Sequence, residues 1–288
     1  MLDYTKLGGT LFIPATHKNL IAVVEGKKYP NLKSVVVDCE DSIIDERLDD
    51  ALDSIKKMLI FFEKSGCLVF IRPKNYEILE KILEFESINK IDGFVLPKFS
   101  LTNGKEYLNL MGDRYSFMPS IEGEELFNQQ KLLELKEMLV PYKEQIIIIR
   151  FGLEDMLRQL GMMRGCDESV FDVSSTSFVL GNFIATFKSA GFGVSGGVYP
   201  YFQNLDGYKK DILRDMREGL FTKTIIHPNQ IAMIDELYKV SEDELKRAKE
   251  ILKSDEAVFN QDGKMAEVVT MSPYAKNILK RAEIYGVN

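Results

Sequence analysis

Eight short runs of apolar residues, continuous rather than alternating, constrain this chain more than any other feature. They are Thr10–Pro14 (TLFIP), Ser34–Cys39 (SVVVDC), Leu68–Arg72 (LVFIR), Gly93–Pro97 (GFVLP), Tyr115–Ile121 (YSFMPSI), Ile146–Gly152 (IIIIRFG), Phe192–Val198 (FGVSGGV) and Thr222–His227 (TKTIIH). A strand with one wet face alternates apolar and polar residues, whereas a strand covered on both faces does not have to. Segments of helical spacing separate the runs, among them Arg47–Lys64, Tyr76–Lys90, Gln129–Leu139 and Tyr208–Gly219. Eight buried strands with helical crossovers in 288 residues is the arithmetic of an α/β chain folded as a (β/α)8 TIM barrel. The first and seventh runs are the weakest, because glycines crowd both.

The length also allows two small domains, but no Gly/Ser-rich linker divides the chain. The expectation is therefore one domain over 1–288, with the barrel over about 8–240 and a C-terminal helical extension over about 241–288. Beyond His227 the pattern predicts helices at Pro228–Tyr238, Glu242–Leu252 and Pro273–Tyr285, the second opened by a capping box from Ser241 to Glu244. The stretch Val258–Ser272 is poorly patterned and reads either as an ordered lid or as a tail.

Charge and cysteine content narrow the function classes. With 37 Lys+Arg against 44 Asp+Glu the net charge is −7, which favours neither nucleic acid nor an anionic membrane as partner. No apolar run reaches the ~18 residues of a membrane span, and MLDYTKLGG lacks the character of a signal peptide. Cys39, Cys67 and Cys166 are odd in number and widely spaced, which suits reduced thiols in a cytoplasmic protein.

Catalytic groups of a TIM barrel lie at the C-terminal ends of its strands. Those ends carry Asp38, Glu40 and Asp41 after the second run, Arg72 and Asn75 after the third, and Lys98 after the fourth. Glu122 follows the fifth, Glu154 and Asp155 the sixth, and His227 closes the eighth. Carboxylates from neighbouring strands, with a cation close by, suit a hard divalent ion such as Mg2+, which takes few protein carboxylates and keeps positions for substrate oxygens and water. Arg72 suits a substrate carboxylate through two parallel hydrogen bonds. Glu40, Asp41, Lys98 and His227 complete the substrate-binding candidates.

Each candidate also has a plainer reading. Glu40 and Asp41 can cap the helix that begins near Asp45, Lys98 can be a solvated loop lysine, and His227 before Pro228 can serve a helix start. Two histidines and three scattered cysteines show no metal-ligand spacing. The Gly193–Gly197 loop can cradle a phosphate but lacks the lysine of a P-loop. Arg150, alone in an apolar run, faces either the barrel centre or the helix layer.

At these strand ends the sequence resembles the citrate lyase β-subunit-like branch of the HpcH/HpaI aldolases. The matching stretches are VVVDCEDSI, FIRPKN, DGFVLPKF, SIEGEELF, FGLEDMLRQLG, VYPYFQNLDGYKKD, TKTIIHPNQI and VSEDELKRAKEIL, collinear over roughly residues 10–255. The resemblance implies Mg2+ held by Glu122 and Asp155, with Arg72 gripping the substrate. It further implies cleavage or formation of a carbon–carbon bond beside a carbonyl, in a small keto or hydroxy carboxylate or its CoA thioester, by a trimer or hexamer of the chain. Cleavage yields an enolate, and a metal with a guanidinium stabilises that charge as it develops.

Three departures from the family pattern stand against this. Gly8-Gly9 replaces an arginine expected before the first strand, Gly196 replaces the aspartate of the strand-seven pattern, and Met271-Ser272-Pro273 replaces a C-terminal D-x-P motif. The expected function is thus a Mg2+-dependent lyase or aldolase. The competing one is a barrel that binds metal and carboxylate without turnover.

Overall fold

Parallel strands account for the apolar runs. In the computed structural model, which describes residues 2–288, they are β1 (Gly9–Pro14), β2 (Ser34–Asp38), β3 (Leu68–Arg72), β4 (Gly93–Leu96), β5 (Phe117–Ile121), β6 (Arg150–Phe151) and β7 (Lys223–Ile225). They form one sheet in the order β6-β5-β4-β3-β2-β1-β7. Every pairing in it is parallel. The glycine-rich seventh run does not make a ladder of its own. It joins the two ends of the sheet by single bridges, Val194 to Ile149 and Gly196 to Lys223. Ser195 N donates to Ile149 O at 3.0 Å and Gly196 N to Thr222 O at 2.7 Å. These bonds close the TIM barrel with an eighth stave.

The helices around it are α1 (Leu20–Val24), α2 (Leu48–Phe61), α3 (Tyr76–Leu83), α4 (Gly104–Met111), α5 (Gln129–Leu139), α6 (Leu153–Gln159), α7 (Ser174–Ser189) and α8 (Leu205–Arg217). Their apolar residues recur at helical spacing. In α2 the buried set is Ala51, Leu52, Ile55, Met58 and Leu59, the stripe that a helix lays on a sheet. A second layer of contacts fills the barrel itself. Val36, Phe70, Val95 and Met118 come from four successive strands and pack with Leu7, Ile147 and Ile148, as barrel interiors are filled in layers. Full burial of such side chains contributes about 1.5–3 kcal/mol each.

The residues fall into two compact units, one ending at Ile231 and the other running from Ala232 to Asn288. After α9 (Ile231–Leu237), the second contains α10 (Glu242–Lys253), β8 (Val258–Gln261), β9 (Lys264–Glu267) and α11 (Val268–Tyr285). Its core is Val240, Ala248, Ile251, Ala275 and Ile278. The capping box expected at α10 is present: Glu244 N donates to Ser241 Oγ and Ser241 N to Glu244, both at 3.2 Å. The stretch 258–272 is not a tail. β8 and β9 pair antiparallel, and Asp262 (φ +53°) and Gly263 (φ +79°) turn between them. Two successive residues at positive φ make the tight turn that Asp-Gly favours. Among the described residues, no helix is long and apolar enough to cross a membrane.

Candidate active site

Strand register sets the first charges. Asp38 and Arg72 end β2 and β3 as direct neighbours in the ladder. Arg72 Nε donates to Asp38 Oδ1 at 2.5 Å and Nη2 donates to Oδ2 at 2.8 Å, a bidentate pair. Its Nη1 lies 2.8 Å from Glu40 and 3.3 Å from Asp41. Burial opposes the charge of Arg72, but Asp38 and then Glu40 and Asp41 overcome it and raise its pKa. Lys98 Nζ pairs with Glu40 and lies 3.4 Å from Asp41. Glu40 and Asp41 thus hold cations. The turn at Asp45 begins at Ile44, with no side-chain cap. Lys98 is no free loop lysine either.

Glu122 leaves the end of β5 and Asp155 sits in the first turn of α6. The two carboxyl groups act on each other's charge. Burial above all, then Asp155, pushes Glu122 up to about 8. Burial also works against the charge of Asp155, but the bonds from Glu122 and Arg158 prevail and lower it. Glu122 accepts from Lys98 N at 2.7 Å, and Arg158 Nη2 donates to Asp155 at 2.7 Å. Gly152 makes the room: a Cβ there would stand 2.2 Å from Glu122 Cβ.

Both carboxylates line a cleft of about 460 Å³ at the C-terminal ends of the strands. Asp38, Asp41, Glu122, Glu154 and Asp155 face it, against the guanidiniums of Arg72 and Arg150. This excess of carboxylate suits a cation. Among the described residues, no three His, Cys, Asp or Glu side chains converge on one point. An oxygen-only pair is a donor set that Mg2+ accepts while keeping water. The residues fit the ion.

The other candidates fall elsewhere. His227 does not line the cleft. Its Nδ1 accepts from Asn229 N at 3.2 Å, in a capping box completed by Gln230, and its ring stacks on Phe202 with centroids 4.4 Å apart. The helix-start reading is the one the geometry supports. Arg150 faces the barrel centre, where it is 3% exposed and reaches Thr10, Met118 and Thr224 from three different strands. The Gly193–Gly197 loop spends its glycines on packing: a Cβ on Gly196 would stand 2.3 Å from Asp215 Oδ2.

That carboxylate belongs to a buried network absent from the sequence reading. Lys223 Nζ lies 2.6 Å from both Asp211 and Asp215, and Arg164 lies 2.8 Å from Asp211. Burial raises Asp215 to about 6 even with Lys223 beside it. β2 and β3 are equally long and parallel in register, which sets Asp38 against Arg72 and makes it the clamp of that guanidinium.

The family model described as carbon–carbon bond lyase of the TIM-barrel fold matches residues 1–287. The chain belongs to this carbon–carbon bond lyase family. This family member is similar to the mitochondrial citramalyl-CoA lyase of Rattus norvegicus, 24% identical over 275 residues that cover 86% of this chain and 76% of that protein. It is also similar to citrate lyase subunit beta of Escherichia coli K12, 26% identical over 151 residues, 50% of this chain and 48% of that one. Among solved structures the lyase barrel is shared with protein CitE from Mycobacterium tuberculosis, in complex with magnesium, acetoacetate and coenzyme A. The TM-score is 0.72 at 18% identity, over 97% of this chain and 99% of that chain. RipC from Yersinia pestis has the same fold, with a TM-score of 0.64 at 17% identity over 84% and 100%.

Proposed function

We propose that this chain is a Mg2+-dependent carbon–carbon lyase acting on a small keto or hydroxy carboxylate or its CoA thioester. The observation that carries the reading is the pair of Glu122, buried and raised to about 8, and half-buried Asp155 at the wall of an acid-rich cleft. Relatives named as lyases of citramalyl-CoA and citrate support it. Glu122 and Asp155 would hold the ion, which when bound draws the oxygens of an acid and stabilises the negative charge that cleavage releases.

The chain's own residues supply the rest. Lys98 N and Arg158 hold the two carboxylates in place. Asp38 fixes the guanidinium plane of Arg72 at the cleft wall. Leu153, Val198 and Ile226 give that wall apolar surface, which excludes water and strengthens every charge inside.

The test is a calorimetric titration with Mg2+, followed by a cleavage assay on citramalyl-CoA. Parent protein should bind the ion and turn over. Asp155→Asn should stay folded and lose both. Mg2+ affinity equal in the two proteins sinks the assignment.

One observation favours the reading without turnover: three carboxylates already surround Arg72, so it is not free to grip substrate as expected. Ion and acid binding without cleavage of any thioester would decide for it. The reading includes a homo-oligomer, trimer or hexamer, which light scattering tests. It also includes a reducing compartment such as the cytoplasm, supported by three free cysteines, two of them buried.

A further inference from the structure

Arg72 and Arg150 both reach the cleft, and both guanidiniums lie over the Phe12 ring, at 5.2 and 5.3 Å from its centroid. Their surroundings are opposite. Arg72 has three carboxylates around it. Arg150 has none among the described residues. Its Nη2 donates to Thr10 Oγ1 at 2.9 Å, Nη1 to Thr224 Oγ1 at 3.2 Å, and Nε meets only the Met118 thioether at 3.3 Å. Two neutral hydroxyls and a weak sulfur acceptor do not balance a full charge.

An unpaired cation in a barrel core is expensive. Burial first, and then the repulsion of Arg72, drags Arg150 down to about 9. A guanidinium also carries five N–H bonds, so three contacts leave two without a partner. Gly152 follows Arg150 by two residues, just past the end of β6. Gly152 is the residue whose missing side chain admits Glu122. Arg150, Glu122 and Asp155 line one and the same cleft.

We propose that Arg150 is the anion-recognition residue of this cleft, taking a carboxylate of the acid through the N–H bonds that Thr10 and Thr224 leave free. The inference rests on the lyase reading for the class of ligand, but its geometry does not need the ion. It moves the role of gripping the acid from Arg72, which has its counter-charges, to Arg150, which lacks one. Thr10 and Thr224 hold the fork in position from two neighbouring strands of the barrel.

The experiment compares parent protein with Arg150→Met and Arg150→Lys, using succinate as a stable two-carboxylate probe. Three quantities are read: melting temperature without additive, succinate affinity without metal, and Mg2+ affinity without succinate. Arg150→Met should melt at or above the parent temperature, because a bare buried charge has been removed. It should bind succinate about ten- to a hundredfold more weakly, the worth of a charge-assisted hydrogen bond. Arg150→Lys keeps the charge and should retain part of that affinity. Mg2+ affinity should be unchanged in both variants, so loss of the ion in parent protein would count against the lyase reading and not against this one. Succinate bound equally well by Arg150→Met and parent overturns the proposal. So does an Arg150→Met protein that melts well below the parent, since the guanidinium would then be a structural strut.

Discussion

Lys98 turns its backbone amide onto Glu122 at 2.7 Å, and it does so from a left-handed conformation with φ +46°. The same residue sends its ammonium the other way, to Glu40. One residue thus ties the loop after β2 to the Glu122 carboxylate after β5. Glycine accepts this φ without strain. Lys98→Gly should therefore keep the amide bond and Mg2+ affinity within about threefold, with stability within about 1 kcal/mol by urea denaturation. A much larger loss of ion affinity would mean that the ammonium, not the amide, sets the position of Glu122.

The raised Glu122 carboxyl gives the site a pH signature. Glu122 rises from the ordinary 4.5 to about 8, so the native protein without metal holds a proton that the unfolded chain gives up. Its stabilising contribution is full below pH 4.5 and fades as pH climbs towards 8. Mg2+ has to expel that proton. Its affinity should rise about tenfold per pH unit below 8 and level off above it, with close to one proton released per ion. Titration calorimetry in buffers of different ionisation enthalpy measures the release directly. A pH-independent affinity between 6 and 8 would contradict a protonated Glu122.

Gly152 is the steric condition for the pair. Gly152→Ala places a methyl group 2.2 Å from Glu122 Cβ. The strand or the carboxylate must move, at a cost of about 1–3 kcal/mol. Circular dichroism melts should record the loss, and Mg2+ binding should weaken with it. A fully stable Gly152→Ala protein with parent ion affinity would show that β6 yields more easily than a closed barrel should.

His227 separates structure from chemistry. Replacing it with alanine removes a helix cap, worth about 0.5–2 kcal/mol, and the stacking on Phe202. Thermal stability should fall by that order while succinate and Mg2+ binding stay at the parent level. Loss of ligand binding by a folded His227→Ala protein would return this histidine to the site.

Much of this architecture is legible in the chain, for stated reasons. Continuous apolar runs mark strands covered on both faces, and the polar residues that end them mark the working rim. Glu122, Asp155 and Arg72 lie where that logic puts them. What escaped is what periodicity does not encode. Ile146–Gly152 is apolar throughout except for Arg150, so no alternation told which side Arg150 faces. Asp211 and Asp215 stand four apart on α8, and both are buried against Lys223. The hairpin turn at Asp262-Gly263 carried its signal in two residues within an unpatterned stretch. His227 followed the strand-end rule to a position where Pro228 and Gln230 made it a cap.

Gly196 leaves the space beyond its Cα to the Asp215 carboxylate, which pairs with Lys223. That space holds one carboxylate and no more. Gly196→Asp alone would crowd two carboxylates into one buried space, and Asp215→Gly alone would strip Lys223 of a counter-charge. Each single change should lower the melting temperature, and the double change should recover most of it. The strand and the helix can trade this charge only by changing together.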